Sequence, residues 1–145
     1  MKIKTIRSEY VRHLPEVLSE GILYICEEFN IAAHKCCCGC GEEVITPLNE
    51  AQWGVTKHGS TVSLWPSIGN WNYACRSHYW IRKNLIIEAA PMTNSEISRV
   101  KQRDRWDKDA YIRLSNKKVT DISAKSWLHL FIHRGLALMK ALWHR

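Results

Sequence analysis

His34-Lys35-Cys36-Cys37-Cys38-Gly39-Cys40-Gly41 crowds four cysteines into five positions, and Cys75-Arg76-Ser77-His78 answers it further along the chain. Thiolates and an imidazole brought together from two separate loops are the donor set of a tetrahedral Zn²⁺ site. Gly39 and Gly41 let the backbone fold tightly enough for thiolates two residues apart to face one ion. The spacing predicts ligands among Cys36, Cys38, Cys40, Cys75 and His78, with Zn²⁺ as the cofactor. His34 and Cys37 add further donors, and spacing leaves the final four open. Cys37 is the favoured non-ligand, since alternate positions 36, 38 and 40 can point to one side.

Working outward, the bulk composition limits what surrounds this loop pair. At 145 residues the chain is one domain's worth with a real core. Hydrophobic content of 46% and charged content of 24% are those of an ordinary globular protein. Lys+Arg 21 against Asp+Glu 14 gives a net charge of +7, which favours acidic partners. Four of the six cysteines are too close in sequence to bridge one another without strain, which argues against a disulfide framework. Residues 1–10 carry no apolar leader core, and no apolar run approaches the length of a membrane span. The reading is a reduced, cytoplasmic, metal-binding protein without a membrane segment.

The elements follow from periodicity. Lys2–Arg7 alternates as an edge strand, Leu14–Leu18 suggests a helical turn, and Ile22–Cys26 has the composition of a buried strand. Glu43–Leu48 reads as a strand ended by proline. Trp53–Lys57 and Thr61–Trp65 flank His58-Gly59-Ser60, which is hairpin chemistry. Pro66–Asn70 is turn-rich, and Trp80–Ile87 forms another hairpin with Lys83-Asn84 at its tip. Composition shifts near Pro91, and Thr93-Asn94-Ser95-Glu96 has capping-box form. A charged helix is expected from there to Leu114, broken by Ser115–Lys118, and a second helix from Ser123 to Trp143. The fold class is α+β: a small zinc-stabilised domain of short antiparallel strands (1–92), then two helices (93–145). Ser126, His129, His133, Lys140 and His144 form a narrow polar strip on the last helix, whose apolar remainder suits packing or a homodimer.

Candidate catalytic residues lie beside the metal loops. Ser67 sits in Pro66-Ser67-Ile68-Gly69-Asn70, and Ser77 lies between Cys75 and His78. A serine in such places is more often a turn or capping hydroxyl. The chemical reading makes Ser67 or Ser77 a nucleophile and His34 its general base. Asn70 and the N–H groups around Gly69 would form an oxyanion hole. No acid stands out for a triad; Glu27, Glu28 and Glu42 are near only in sequence.

The sequence also resembles a known family. His34-x-Cys36-x-Cys38-Gly39-Cys40-Gly41, Pro66-Ser67-Ile68-Gly69-Asn70-Trp71 and Cys75-x-Ser77-His78-Tyr79-Trp80-Ile81 occur in that order in small bacterial and phage proteins that include the BubE-type peptidases. The similarity covers roughly residues 8 to 91. Some members lie beside genes for ubiquitin-like, activating-enzyme-like and conjugating-enzyme-like proteins. The resemblance implies a zinc-stabilised peptidase that processes or deconjugates a ubiquitin-like protein, with that protein and its conjugation enzymes as partners. It places Cys36, Cys38, Cys40, Cys75 and His78 on the metal motif, and His34 and Ser67 on positions suited to serine-type catalysis. A zinc-water hydrolase is a variant. The alternative is a non-enzymatic zinc module that binds nucleic acid or an acidic protein through its basic face. Arg99, Lys101, Arg103, Arg105 and Lys108 would supply that face, with Trp71 and Tyr73 stacking on bases.

Overall fold

The structure is a computed structural model that describes the backbone of residues 1–143 and the side chains of residues 1–119. Eight strands form two four-stranded sheets. The first sheet holds β1 (Arg7–Tyr10), β2 (Ile22–Cys26), β3 (Ile31–Lys35) and β4 (Glu43–Pro47), in that order. β1 and β2 are parallel; the other pairs are antiparallel. The second sheet is an antiparallel meander of β5 (Gly54–His58), β6 (Thr61–Gly69), β7 (His78–Arg82) and β8 (Leu85–Glu88).

Alternation along the strands decides what the sheets bury. Leu23, Ile25, Ala32 and Val44 of the first sheet share a core with Val62, Leu64, Ile68, Tyr79, Ile81 and Ile86 of the second. Segment 11–21, expected to contain a helical turn, holds no helix. It is the crossover that two parallel strands require, and it lays Leu14 and Leu18 over Tyr24 and Ala33 on the first sheet's other face. Cys26 is fully buried, its thiol donating to the Arg12 carbonyl.

The opening segment pairs with β8 before it becomes β1: Ile86 N–H donates to the Lys4 carbonyl and Ile6 N–H to the Asn84 carbonyl. Pro66–Gly69 is not a turn. β6 runs through it for nine residues, with a register irregularity between Leu64 and Ile68 that accommodates the proline.

The two expected helices are one, α1 (Asn94–Trp143). Ser115-Asn116-Lys117-Lys118 does not break it, because Ser and Asn cost only a few tenths of a kcal/mol each in a helix interior and neither Gly nor Pro is present. The capping box is there: Thr93 N–H donates to Glu96 Oε2 at 2.7 Å, and Glu96 N–H returns a bond to Thr93 Oγ1 at 3.3 Å. The first turns belong to the compact unit Met1–Asp107; Lys108–Arg145 forms a second unit. The expected polar strip and the homodimer surface fall on side chains outside the described residues. Among the described residues no helix is long and apolar enough to cross a membrane.

Candidate functional site

Two arrangements lie back to back at one end of the second sheet. The first is a thiol cluster. β3 delivers Cys36 into the loop that precedes β4, and that loop also carries Cys38 and Cys40. Gly39 and Gly41, both at φ +87°, make the turns. Cys75 arrives from the β6–β7 connection. The four sulfurs lie within 4.8 Å of one another. Cys36 Sγ is 3.4 Å from Cys38 Sγ and 4.0 Å from Cys75 Sγ. A tetrahedron of ~2.3 Å metal–sulfur bonds has edges of roughly 3.8 Å, so the residues present fit a four-thiolate ion.

Around Cys36 the hydrogen bonding is dense. Asn70 Nδ2 donates to Cys36 Sγ at 3.3 Å and to Ser77 Oγ at 2.9 Å, and Ser77 Oγ is 3.1 Å from Cys36 Sγ. Burial opposes ionisation of Cys75, but bonds from the Ser77 hydroxyl and backbone outweigh it and bring the thiol down to about 7. Asn70 and Ser77, both buried, therefore serve the sulfur cluster. The amide hydrogens of Asn70 are already engaged, and Ser77 Oγ is enclosed by sulfur. Cys37 is fully buried in the core, outside the group of four, and burial pushes its thiol up to about 12.

His78 is not in the thiol cluster. Adjacent residues of an extended chain point to opposite faces, so Ser77 turns towards sulfur and His78 away from it. His78 Nε2 lies 3.0 Å from Ser67 Oγ on the neighbouring strand, and its Nδ1 lies 3.1 Å from the Ala90 carbonyl oxygen. A carbonyl only accepts, so Nδ1 carries a proton, and of the two neutral tautomers the one this fixes leaves the Nε2 lone pair facing the Ser67 hydroxyl. Trp71 covers this pair, its ring 4.9 Å from the imidazole. A cleft of about 480 Å³ borders both groups, lined by Cys38, Cys75 and Ser77 on one side and by Trp71, His78 and Met92 on the other.

His34 does not reach Ser67. Ile68 and Tyr79 face the core, so Ser67 and His78 share the opposite face. His34 is on the core side, fully buried, with Nε2 2.8 Å from the Tyr79 hydroxyl. Burial lowers its pKa to about 4, so the ring is neutral at ordinary pH. Of the residues singled out in the sequence, the fold thus joins Cys36, Cys38, Cys40 and Cys75, and separately Ser67 and His78. Trp71 and the Ala90 carbonyl complete the second group. From sequence Trp71 is a candidate for stacking on bases, and a backbone carbonyl carries no signature in sequence at all.

A family model described as bacterial ubiquitination-like system serine protease (BubE) matches residues 10–89. The chain belongs to the BubE family. The BubE match takes in β2 to β8 and all three motifs, more than half of the chain, and ends before α1. A serine protease of a bacterial ubiquitination-like system is the activity that the BubE description names. No curated protein and no solved structure matches the chain.

Proposed function

We propose that this chain is a peptidase that releases or trims a ubiquitin-like protein, with Ser67 as nucleophile and His78 as general base. The observation that carries this reading is the 3.0 Å approach of His78 Nε2 to Ser67 Oγ in a member of a serine protease family. As Ser67 Oγ bonds to the carbonyl carbon, its proton passes to Nε2. Collapse of the adduct breaks the carbon–nitrogen bond, and Nε2 hands the proton to the departing amine. A water that gives its proton to the same nitrogen then cleaves the acyl ester and restores Ser67. The Ala90 carbonyl stands where many hydrolases place a carboxylate: it fixes the tautomer and the ring plane without adding a charge. That accounts for the missing acid of a triad.

The ion is Zn²⁺ in this reading, held by Cys36, Cys38, Cys40 and Cys75. It would supply cohesion between the two loops, since four protein thiolates leave no open coordination position for a zinc-bound water. The nucleic-acid alternative gains little from α1, where Asp104, Asp107 and Asp109 interrupt the basic residues.

Incubation with an alkyl fluorophosphonate and mass mapping of the adduct tests the assignment. The wild type should be labelled at Ser67 and Ser67→Ala not at all. His78→Ala should react roughly 100-fold or more slowly, whereas His34→Gln, if it folds, should keep its rate. Labelling at Ser77, or a loss confined to the His34 variant, would overturn the assignment.

A further inference from the structure

β6 outruns its neighbour. The β5–β6 ladder ends at Gly54 opposite Trp65, yet β6 continues to Gly69. Residues 66–69 therefore have no strand on the side that β5 occupies. The direction of their polar groups follows from the ladder on the other side. Asn70 N–H donates to the Ser77 carbonyl at 2.9 Å, which makes 70 and 77 a hydrogen-bonded pair. Bonded and non-bonded pairs alternate in an antiparallel ladder. Gly69, opposite His78, is therefore in a non-bonded pair, and its N–H and C=O point away from β7 into the open line of β5. No backbone bond to a described residue takes them up.

This open edge lies beside Ser67, on the opposite side from His78. The base must reach the leaving group, and the cleft beside His78 offers that group room. The acyl side of the scissile bond is left with the edge. We propose that the substrate's polypeptide on the acyl side binds as an added strand in the line of β5, exchanging main-chain hydrogen bonds with Gly69. The inference rests on the peptidase reading and narrows it: the substrate presents a free, extended tail of several residues, as the C-terminal segment of a small folded protein would, and not a folded loop. Strand addition draws affinity from backbone groups, so it tolerates varied side chains where they do not meet Trp65 or Trp71.

The test uses a tetra-alanine chain ending in a diphenyl phosphonate, and three versions carrying one N-methyl group at successive peptide nitrogens. A simple alkyl fluorophosphonate serves as reference, and labelling of Ser67 is followed on the intact, metal-loaded protein. Pairing with an edge uses only every second N–H, so N-methylation should slow labelling about tenfold at alternate positions and leave the intervening ones unchanged. A series in which every position labels alike overturns the edge inference and leaves the nucleophile standing. Failure of the reference to label Ser67 overturns the peptidase reading, and the edge inference with it.

Discussion

Gly69 lacks a side chain because an indole fills the space. A Cβ there would come within 2.3 to 2.5 Å of three Trp71 ring atoms, and that ring packs on His78. Gly69→Ala should therefore push Trp71 off the imidazole and slow fluorophosphonate labelling of Ser67 by about tenfold or more, the order expected when a catalytic group is displaced by a fraction of an ångström to an ångström. Wild-type labelling kinetics in the folded variant would refute this account of the glycine. The same scale shows what a sequence conceals. Two histidines flank the cysteines, and nearness along the chain makes His34 a base and His78 a ligand. Their positions depend instead on strand parity: Ser77 and His78 face opposite ways, and His34 lies in the core, bonded to Tyr79. The alternation of Cys75, Ser77 and the following residue holds that signal, but it can be used only once the start of β7 is known. The thiols needed no such knowledge, since their spacing alone restricts how they can converge.

At the scale of elements, the hairpins were legible because their turns carry the residues that left-handed backbone favours. Gly59 has φ +62° and Asn84 φ +66°, with Asn84 Oδ1 accepting from Val62 N–H; Lys83, at φ +46°, is carried along by its neighbour. β3 was not legible: Ile31-Ala32-Ala33-His34-Lys35 has one β-branched residue, and its alanines are explained only by the fully buried surface they fit. The start of α1 was legible through its cap, which also carries a testable load. The first turn brings Asn94 to Arg76 at 2.7 Å and buries Ile97, so it braces the 71–76 segment beside the site. Thr93→Ala should cost about 1 kcal/mol of local helix stability, seen as faster amide exchange at Glu96 and Ile97; unchanged exchange would count against the cap. Hydrogen bonds from the Thr93 side chain, then its backbone, hold the Glu96 carboxyl below its ordinary pKa. A depressed carboxyl stabilises the folded form above its unfolded pKa. The carboxylate's share of the cap is thus complete at neutral pH and is lost as pH falls through the lowered value.

At the scale of the whole molecule, the thiol cluster draws three ligands from a loop of the first sheet and one from a loop of the second. An ion held there joins the two halves of one core, and its binding free energy is folding free energy. Chelation, or Cys40→Ser, should lower or abolish the cooperative melting of the strand signal followed by circular dichroism. Melting that is identical with and without chelator would refute the structural role of the metal. The family match covers residues 10–89, which takes in β2 to β8 and their loops but not α1.

Ser67 and His78 stand on adjacent strands of one sheet, Ser67 in the stretch where the β6–β7 register shifts, and not at the tips of separate loops. The pairs Leu64–Ile81 and Ile68–Tyr79 to either side tie both strands into the sheet. Warming the protein should leave the pair in register until the sheet itself gives way, so labelling of Ser67 in the wild type should be lost at the temperature at which the strand signal is lost.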